Sequence, residues 1–139
     1  MLKMLLSINP EHVDNILHGY KQVEFRKVRC RRDISQIIIY STAPIMQVVA
    51  EATVEDVIIG DVLEVWQMTK AYAGISFELY RKYYKGKNFA VAYKLCDIRP
   101  YPEPKSLADF GISHPPQSFL YITEEEKEAQ PENTAELCQ

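Results

Sequence analysis

The chain lacks most of what marks a metal, redox or membrane protein. Among its 139 residues there are three cysteines, Cys30, Cys96 and Cys138, far apart and without Cys-x-x-Cys spacing. An odd, scattered set of this kind supplies neither a disulfide framework nor a zinc site. The three histidines, His12, His18 and His114, do not join them at ligand spacing. No metal and no cofactor are therefore expected, and a reduced, cytoplasmic protein fits best. No stretch approaches the roughly 20 apolar residues of a membrane span. The apolar start Met4-Leu5-Leu6-Ser7-Ile8 is too short for a signal peptide and runs into a helix start at Asn9-Pro10-Glu11. There is no internal repeat.

What is present describes one globular unit. Apolar residues make up 47% and charged residues 25%, a mix that can enclose a single core at this length. The formal charge of −3 argues against nucleic acid only on average. Residues 123–139 hold six Glu and one Lys, a net of −5, which leaves +2 on residues 1–122. The body is mildly basic and the acidity is terminal. We therefore expect a domain over 1–122 and a disordered acidic tail over 123–139, which has no apolar period.

Local patterns suggest the elements. Lys3 to Ile8 reads as a buried strand. Asn9 as N-cap, Pro10 at the first helical position and Glu11 near the positive dipole end start a short helix. Its apolar stripe is Val13, Ile16 and Leu17, and Gly19 stops it. Lys21 to Lys27 then alternates, with Val23 and Phe25 on one face and Glu24 and Arg26 on the other. Gln36 to Tyr40 is β-branched. From Gln47 to Glu55 a strict alternation places small Ala50 and Ala52 inward, as the interior of a tight barrel requires. Helices are expected at Asp61 to Tyr72, capped by Asp61, and at Ser76 to Tyr84. Phe89 to Leu95 is another strand. Arg99 to Pro116, rich in proline, reads as an ordered loop with a turn near Leu107, and Ser118 to Ile122 as an edge strand. The sum is an α+β domain of about six strands, closed as a barrel, with three inserted helices.

The junction Gly19-Tyr20-Lys21-Gln22-Val23-Glu24-Phe25-Arg26 reads Gly-x-Lys-x-x-Glu-x-Arg. Following a strand and a short helix, it resembles the ASCH domain of the PUA-like superfamily. Further on, Tyr84-Lys85-Gly86-Lys87, Ala90-Val91-Ala92-Tyr93 and Pro115-Pro116-Gln117-Ser118-Phe119 resemble stand-alone ASCH proteins described as PUA-like transcriptional regulators. The resemblance covers Met1 to about Ile122. It implies a PUA-like mixed or antiparallel barrel with a cleft beside the first helix. It also implies RNA or a modified nucleoside as partner, with DNA less favoured and the oligomeric state open.

One strand thus offers an amine, a carboxylate and a guanidinium, enough to meet both a nucleobase edge and a phosphate. Without the resemblance, Glu24 and Arg26 read rather as a surface ion pair worth about 0–1 kcal/mol. Two basic clusters lie nearby: Arg26, Lys27, Arg29, Arg31 and Arg32, then Tyr80, Arg81, Lys82, Tyr83, Tyr84, Lys85 and Lys87. Cations interleaved with aromatic rings suit single-stranded RNA, whose bases offer faces and whose backbone offers charge. ASCH relatives that deacetylate N4-acetylcytidine use a lysine and a threonine on the Gly-x-Lys strand and a glutamate on a later helix. The resemblance assigns Lys21 to the lysine, Glu24 to the threonine's place, and Glu78 to the glutamate. A ribonuclease that cuts single strands is the other enzymatic reading. Glu24 should hold Lys21 near the usual lysine pKa of about 10.4. The stretch Met68 to Gly86 also looks like a helix-turn-helix. However, Lys70 stands where a small residue lets the helices cross, and Tyr80 where an aliphatic residue packs.

Overall fold

The computed structural model describes residues 2–30, 33–123 and 135–137. Its strands are β1 (Leu2–Ile8), β2 (Val23–Arg26), β3 (Gln36–Ser41), β4 (Gln47–Asp61), β5 (Phe89–Lys105), β6 (Phe119–Thr123) and β7 (Ala135–Leu137). The helices are α1 (Pro10–Leu17), α2 (Val62–Thr69) and α3 (Phe77–Tyr83), with 3-10 turns at Lys70–Tyr72 and Leu107–Phe110. All seven strands form one mixed sheet in the order β2-β5-β4-β3-β1-β6-β7. β1 and β3 pair in parallel and the other ladders are antiparallel.

The α+β class and the three helices are as expected. The closed barrel is not: β2 and β7 are the sheet edges, and no ladder joins them among the described residues. Side chains from five strands, among them Met4, Ile37, Ala50, Tyr93 and Phe119, meet Val13 and Ile16 of α1 in one buried cluster. Helix α1 therefore lies against the sheet by two of the three residues of its predicted stripe, and the third, Leu17, is exposed. A second cluster packs Val23 and Phe25 of β2 with Ala90 and Ala92 of β5 beneath Val65, Tyr80 and Tyr84. A third buries Leu5, Ile38 and Val48 under Phe110 and Ile112.

Two boundaries differ from the sequence reading. β4 and β5 run on to Asp61 and Lys105, so the segment expected as a proline-rich loop from Arg99 begins as strand and leaves the sheet only after Lys105. The ladder to β2 ends at Lys94, paired with Val23. From Leu95 onward one edge of β5 carries no β2 partner, so Pro100, Pro102 and Pro104 remove few ladder bonds. Register shifts between Val48 and Ala50 absorb the rest. In the acidic segment, the backbone of Ala135–Leu137 pairs with Leu120 to Ile122 of β6. The remainder of the expected disordered tail, residues 124–134 and 138–139, lies outside the described residues. Among the described residues no helix is long and apolar enough to cross a membrane, and no metal-binding group of His, Cys, Asp or Glu forms.

Candidate functional site

The site begins with how Lys21 is held. Gly19 adopts φ +80°, the left-handed conformation that ends α1. The amides of Tyr20 and Lys21 then both donate to the Asn15 carbonyl, at 2.9 and 3.1 Å. Gln22 donates to the Tyr72 carbonyl at 2.9 Å, and its own carbonyl accepts from Leu95 at 2.9 Å. Gly74, at φ +68°, lies so close to Lys21 that a Cβ there would stand 2.4 Å from the Lys21 Cβ. The lysine backbone is thus gripped between the end of α1 and the turn linking α2 to α3.

The side chain is as enclosed as the backbone. Lys21 is only 3% exposed. Its Nζ donates weakly to the Ala73 carbonyl at 3.5 Å, stands 3.9 Å from Glu24 Oε1 and 4.9 Å from the centre of the Phe25 ring. Burial pulls the Lys21 pKa below its ordinary value, against the raising effect of Glu24. The expectation of an ordinary lysine pKa is therefore corrected. The carboxylate is not close enough to offset the loss of water.

Glu24 is also buried, and its Oε2 accepts from Arg26 at 3.0 Å. The same guanidinium donates to the carbonyl and the hydroxyl of Ser118, both at 2.9 Å. Arg26 therefore ties edge strand β2 to the segment entering β6, where no backbone ladder runs. Glu24 and Arg26 are not a solvated surface pair.

Above this floor opens a cleft of about 320 Å³. Phe25, Ile75, Leu79 and Tyr83 give it apolar walls, while Ser7, Asn9, His12, Lys21, Glu24, Arg26 and Lys82 supply polar groups. Of the residues proposed from sequence, Lys21, Glu24, Arg26, Lys82 and Tyr83 come together here. The others do not. Glu78 is exposed on α3 and is not part of the cleft lining. Arg81 lies over the Phe77 ring at 5.8 Å and Lys27 over the Tyr83 ring at 4.6 Å, both exposed outside the lining. Arg29 borders a different hollow with Asp33 and Glu55. Arg31 and Arg32 lie outside the described residues.

Tyr84 is a correction. It is 2% exposed and packs on Phe25 and Tyr80, so its ring cannot stack on a ligand. Its hydroxyl serves the Arg26 carbonyl at 2.8 Å and the Val91 carbonyl at 3.2 Å. Burial raises its pKa far above the usual tyrosine value. Burial likewise raises that of Tyr83, which remains half-buried at the cleft wall. Tyr84→Phe should cost about 1 kcal/mol of stability, one shared hydrogen bond, while leaving the cleft groups in place. A thermal melt checks this, and an unchanged midpoint would show that the hydroxyl bonds carry no net weight.

Several residues of the cleft, among them Ser7, Asn9, His12 and Leu79, and Ser118 beside Arg26 are not proposed as site residues from the sequence. Ser118 stands within the Pro115–Phe119 motif, so a signal exists for it. His12 carries none, since one helical histidine beside an apolar stripe has no pattern of its own.

No family model matches this chain. It is 32% identical over 126 residues to the ASCH domain-containing ribonuclease of Zymomonas mobilis subsp. mobilis, covering 88% of this chain and 85% of that protein. It is 28% identical over 120 residues to the large ribosomal subunit protein uL22 of Ureaplasma parvum serovar 3, covering 86% of this chain but 39% of that protein. The crystal structure of ASCH from Zymomonas mobilis superposes with a TM-score of 0.81 at 32% identity, over 91% of each chain. The Gly-x-Lys-x-x-Glu-x-Arg strand, the fold around it and this similarity over most of the chain place the protein in the ASCH domain family.

Proposed function

We propose that the chain binds single-stranded RNA in the cleft over β2 and cleaves it there. The observation that carries this reading is Lys21: an amine more than nine-tenths buried in the wall of an open cleft, its proton affinity lowered by burial. A buried cation whose partners stand at 3.5 and 3.9 Å is a weak contributor to a fold, whereas phosphoryl transfer uses a cation at the developing charge. The Zymomonas relative, a ribonuclease by name, supports RNA as the substrate class. The rest of the cleft agrees with that choice. Leu79 and Tyr83 offer faces for bases, and Lys82, Arg81 and Lys27 offer charge for a backbone passing the rim.

The alternative of an amidohydrolase on a nucleoside such as N4-acetylcytidine needs a second acid beside Lys21 in Glu78. The acid in the cleft is instead Glu24, where a carboxylate would repel a developing oxyanion. Reading of duplex DNA by α2 and α3 is disfavoured too, since Tyr80 and Trp66 pack their rings together between these helices.

A labelled single-stranded oligoribonucleotide tests the reading. Binding should weaken at least about tenfold between roughly 50 and 200 mM salt through released counterions. Lys82→Ala should weaken it several-fold at low salt, and cleavage fragments should appear on a denaturing gel. Absence of binding at low salt, or release of acetate from N4-acetylcytidine in place of RNA cleavage, would overturn it.

A further inference from the structure

We propose that His12 is the second proton-transfer group of the cleft, working with Lys21 to cleave RNA by transfer of the phosphoryl group to the neighbouring 2′-hydroxyl. This rests on the RNA-cleaving reading above and assigns its chemistry.

His12 sits in the first turn of α1 and lines the same cleft as Lys21, Glu24 and Arg26. Its Nδ1 is buried and bonded to nothing. Among the described residues it is the one buried side-chain nitrogen or oxygen without a hydrogen-bond partner. Leaving such an atom unpaired costs about 1–3 kcal/mol. An imidazole that served only the fold would have gained a partner, as His18 has at the Asp14 carbonyl, 2.7 Å away. The start of α1 is open as well. Asn9 makes no side-chain cap bond, because its amide oxygen accepts from the Thr42 hydroxyl at 3.3 Å. An anionic phosphate is the group best received beside an uncapped first turn and three cations.

The chemistry needs two groups. One must take the proton of the attacking 2′-hydroxyl and the other must give a proton to the departing 5′-oxygen. Glu24 is engaged by Arg26 at 3.0 Å and Lys21 at 3.9 Å, and a carboxylate so held is a poor proton shuttle. Tyr83 holds its proton tightly through burial. Histidine is the side chain that ordinarily changes charge between about pH 5 and 8. The groups that border the cleft with it are Lys21, Glu24 and Arg26 on the β2 side and Lys82 and Tyr83 from α3. Glu11 and Asp14 flank it on its own helix.

In the step, neutral His12 takes the 2′-hydroxyl proton and the 2′-oxygen bonds to phosphorus. The bond from phosphorus to the 5′-oxygen breaks, and the Lys21 ammonium protonates that oxygen. The products are a 2′,3′-cyclic phosphate and a 5′-hydroxyl. His12 leaves the step protonated and Lys21 neutral, and exchange with water restores both.

The test uses the full chain and an oligonucleotide with one ribose in an otherwise deoxyribose strand. Mass spectrometry of the unsubstituted protein's products should find the cyclic phosphate at that ribose. His12→Ala and His12→Gln should each lower the rate about 100-fold or more with oligonucleotide affinity kept within a few-fold. The acidic limb of the pH–rate profile should disappear, and added imidazole should restore part of the His12→Ala rate. His12→Gln, close in shape, guards against loss of fold, read by thermal melting. Cleavage by both variants within a few-fold of the parent rate would overturn the role of His12 and leave the RNA-cleaving reading intact. Products ending in 3′-hydroxyl and 5′-phosphate would overturn the transphosphorylation. Binding without any cleavage would overturn this inference while sparing RNA recognition. Neither binding nor cleavage would remove the functional reading itself.

Discussion

Gly74→Ala should cost about 2–5 kcal/mol of stability and with it most of the activity, although residue 74 does not line the cleft. Two costs add. At φ +68° an L side chain is strained by about 1–2 kcal/mol. The new Cβ would also meet the Lys21 Cβ at 2.4 Å, the Lys21 Cα at 2.6 Å and the Tyr20 carbonyl oxygen at 2.9 Å. Two of these are backbone atoms, which cannot swing aside, so overpacking adds about 1–3 kcal/mol. The strand entry must shift, and Lys21 shifts with it. A displacement of about 1 Å at a reacting group can cost about 100-fold in rate. Denaturant unfolding measures the first effect and RNA cleavage at a temperature where the variant is folded measures the second. Gly86→Ala is the control: Gly86 shares the positive φ, but a Cβ added there would meet nothing within 4 Å, so it should show the conformational strain alone. Equal losses at both positions would show that crowding against Lys21 is unimportant.

The second large effect separates two cations, Lys21 just before β2 and Arg26 at its end. Arg26→Met should destabilise the protein by about 3–5 kcal/mol, because Glu24 would keep its burial and lose its 3.0 Å partner. The tie to Ser118 across the unladdered edge would go as well. Lys21→Met should behave in the opposite way. It removes a buried charge whose contacts, at 3.5 and 3.9 Å, are loose, and Glu24 keeps Arg26. Stability should hold or rise by about 1 kcal/mol while RNA cleavage falls about 100-fold or more. The pH dependence gives a further check. Because the folded-state pKa of Lys21 lies below its unfolded value, the unfolded chain binds the extra proton between the two. The stability of the parent protein should therefore climb with pH in the window below 10.5, and Lys21→Met should lose that rise. The comparison belongs below about pH 10, since raised pKa values at Tyr80 and Tyr84 reverse the slope above it. A Lys21→Met protein several kcal/mol less stable than the parent would show the lysine to be a structural cation.

Much of this site is legible in the chain alone. Gly19, Lys21, Glu24 and Arg26 form one continuous local segment, and alternation by itself assigns Glu24 and Arg26 to the face opposite Val23 and Phe25. The helix pair Val13 and Ile16, the Asp61 cap and the inward Ala50 and Ala52 are local or periodic signals too, and each stands in the structure. What the chain's own pattern could not decide is which distant groups meet. Whether Arg26 faces water or Ser118 depends on a contact 92 residues away, and the burial of Lys21 depends on Gly74 and Ala73 in a turn 52 residues on. Tyr83 and Tyr84 are neighbours of like chemistry, yet helix rotation sends one to the cleft and the other to the core. The proline-bearing half of β5 is strand through its ladder to β4, and its prolines are tolerated because β2 stops short and leaves the other edge unpaired. His12 is visible only in the tertiary structure. One histidine has no periodicity to betray it, and its unpaired nitrogen exists only once α1, β2 and α3 enclose the same space.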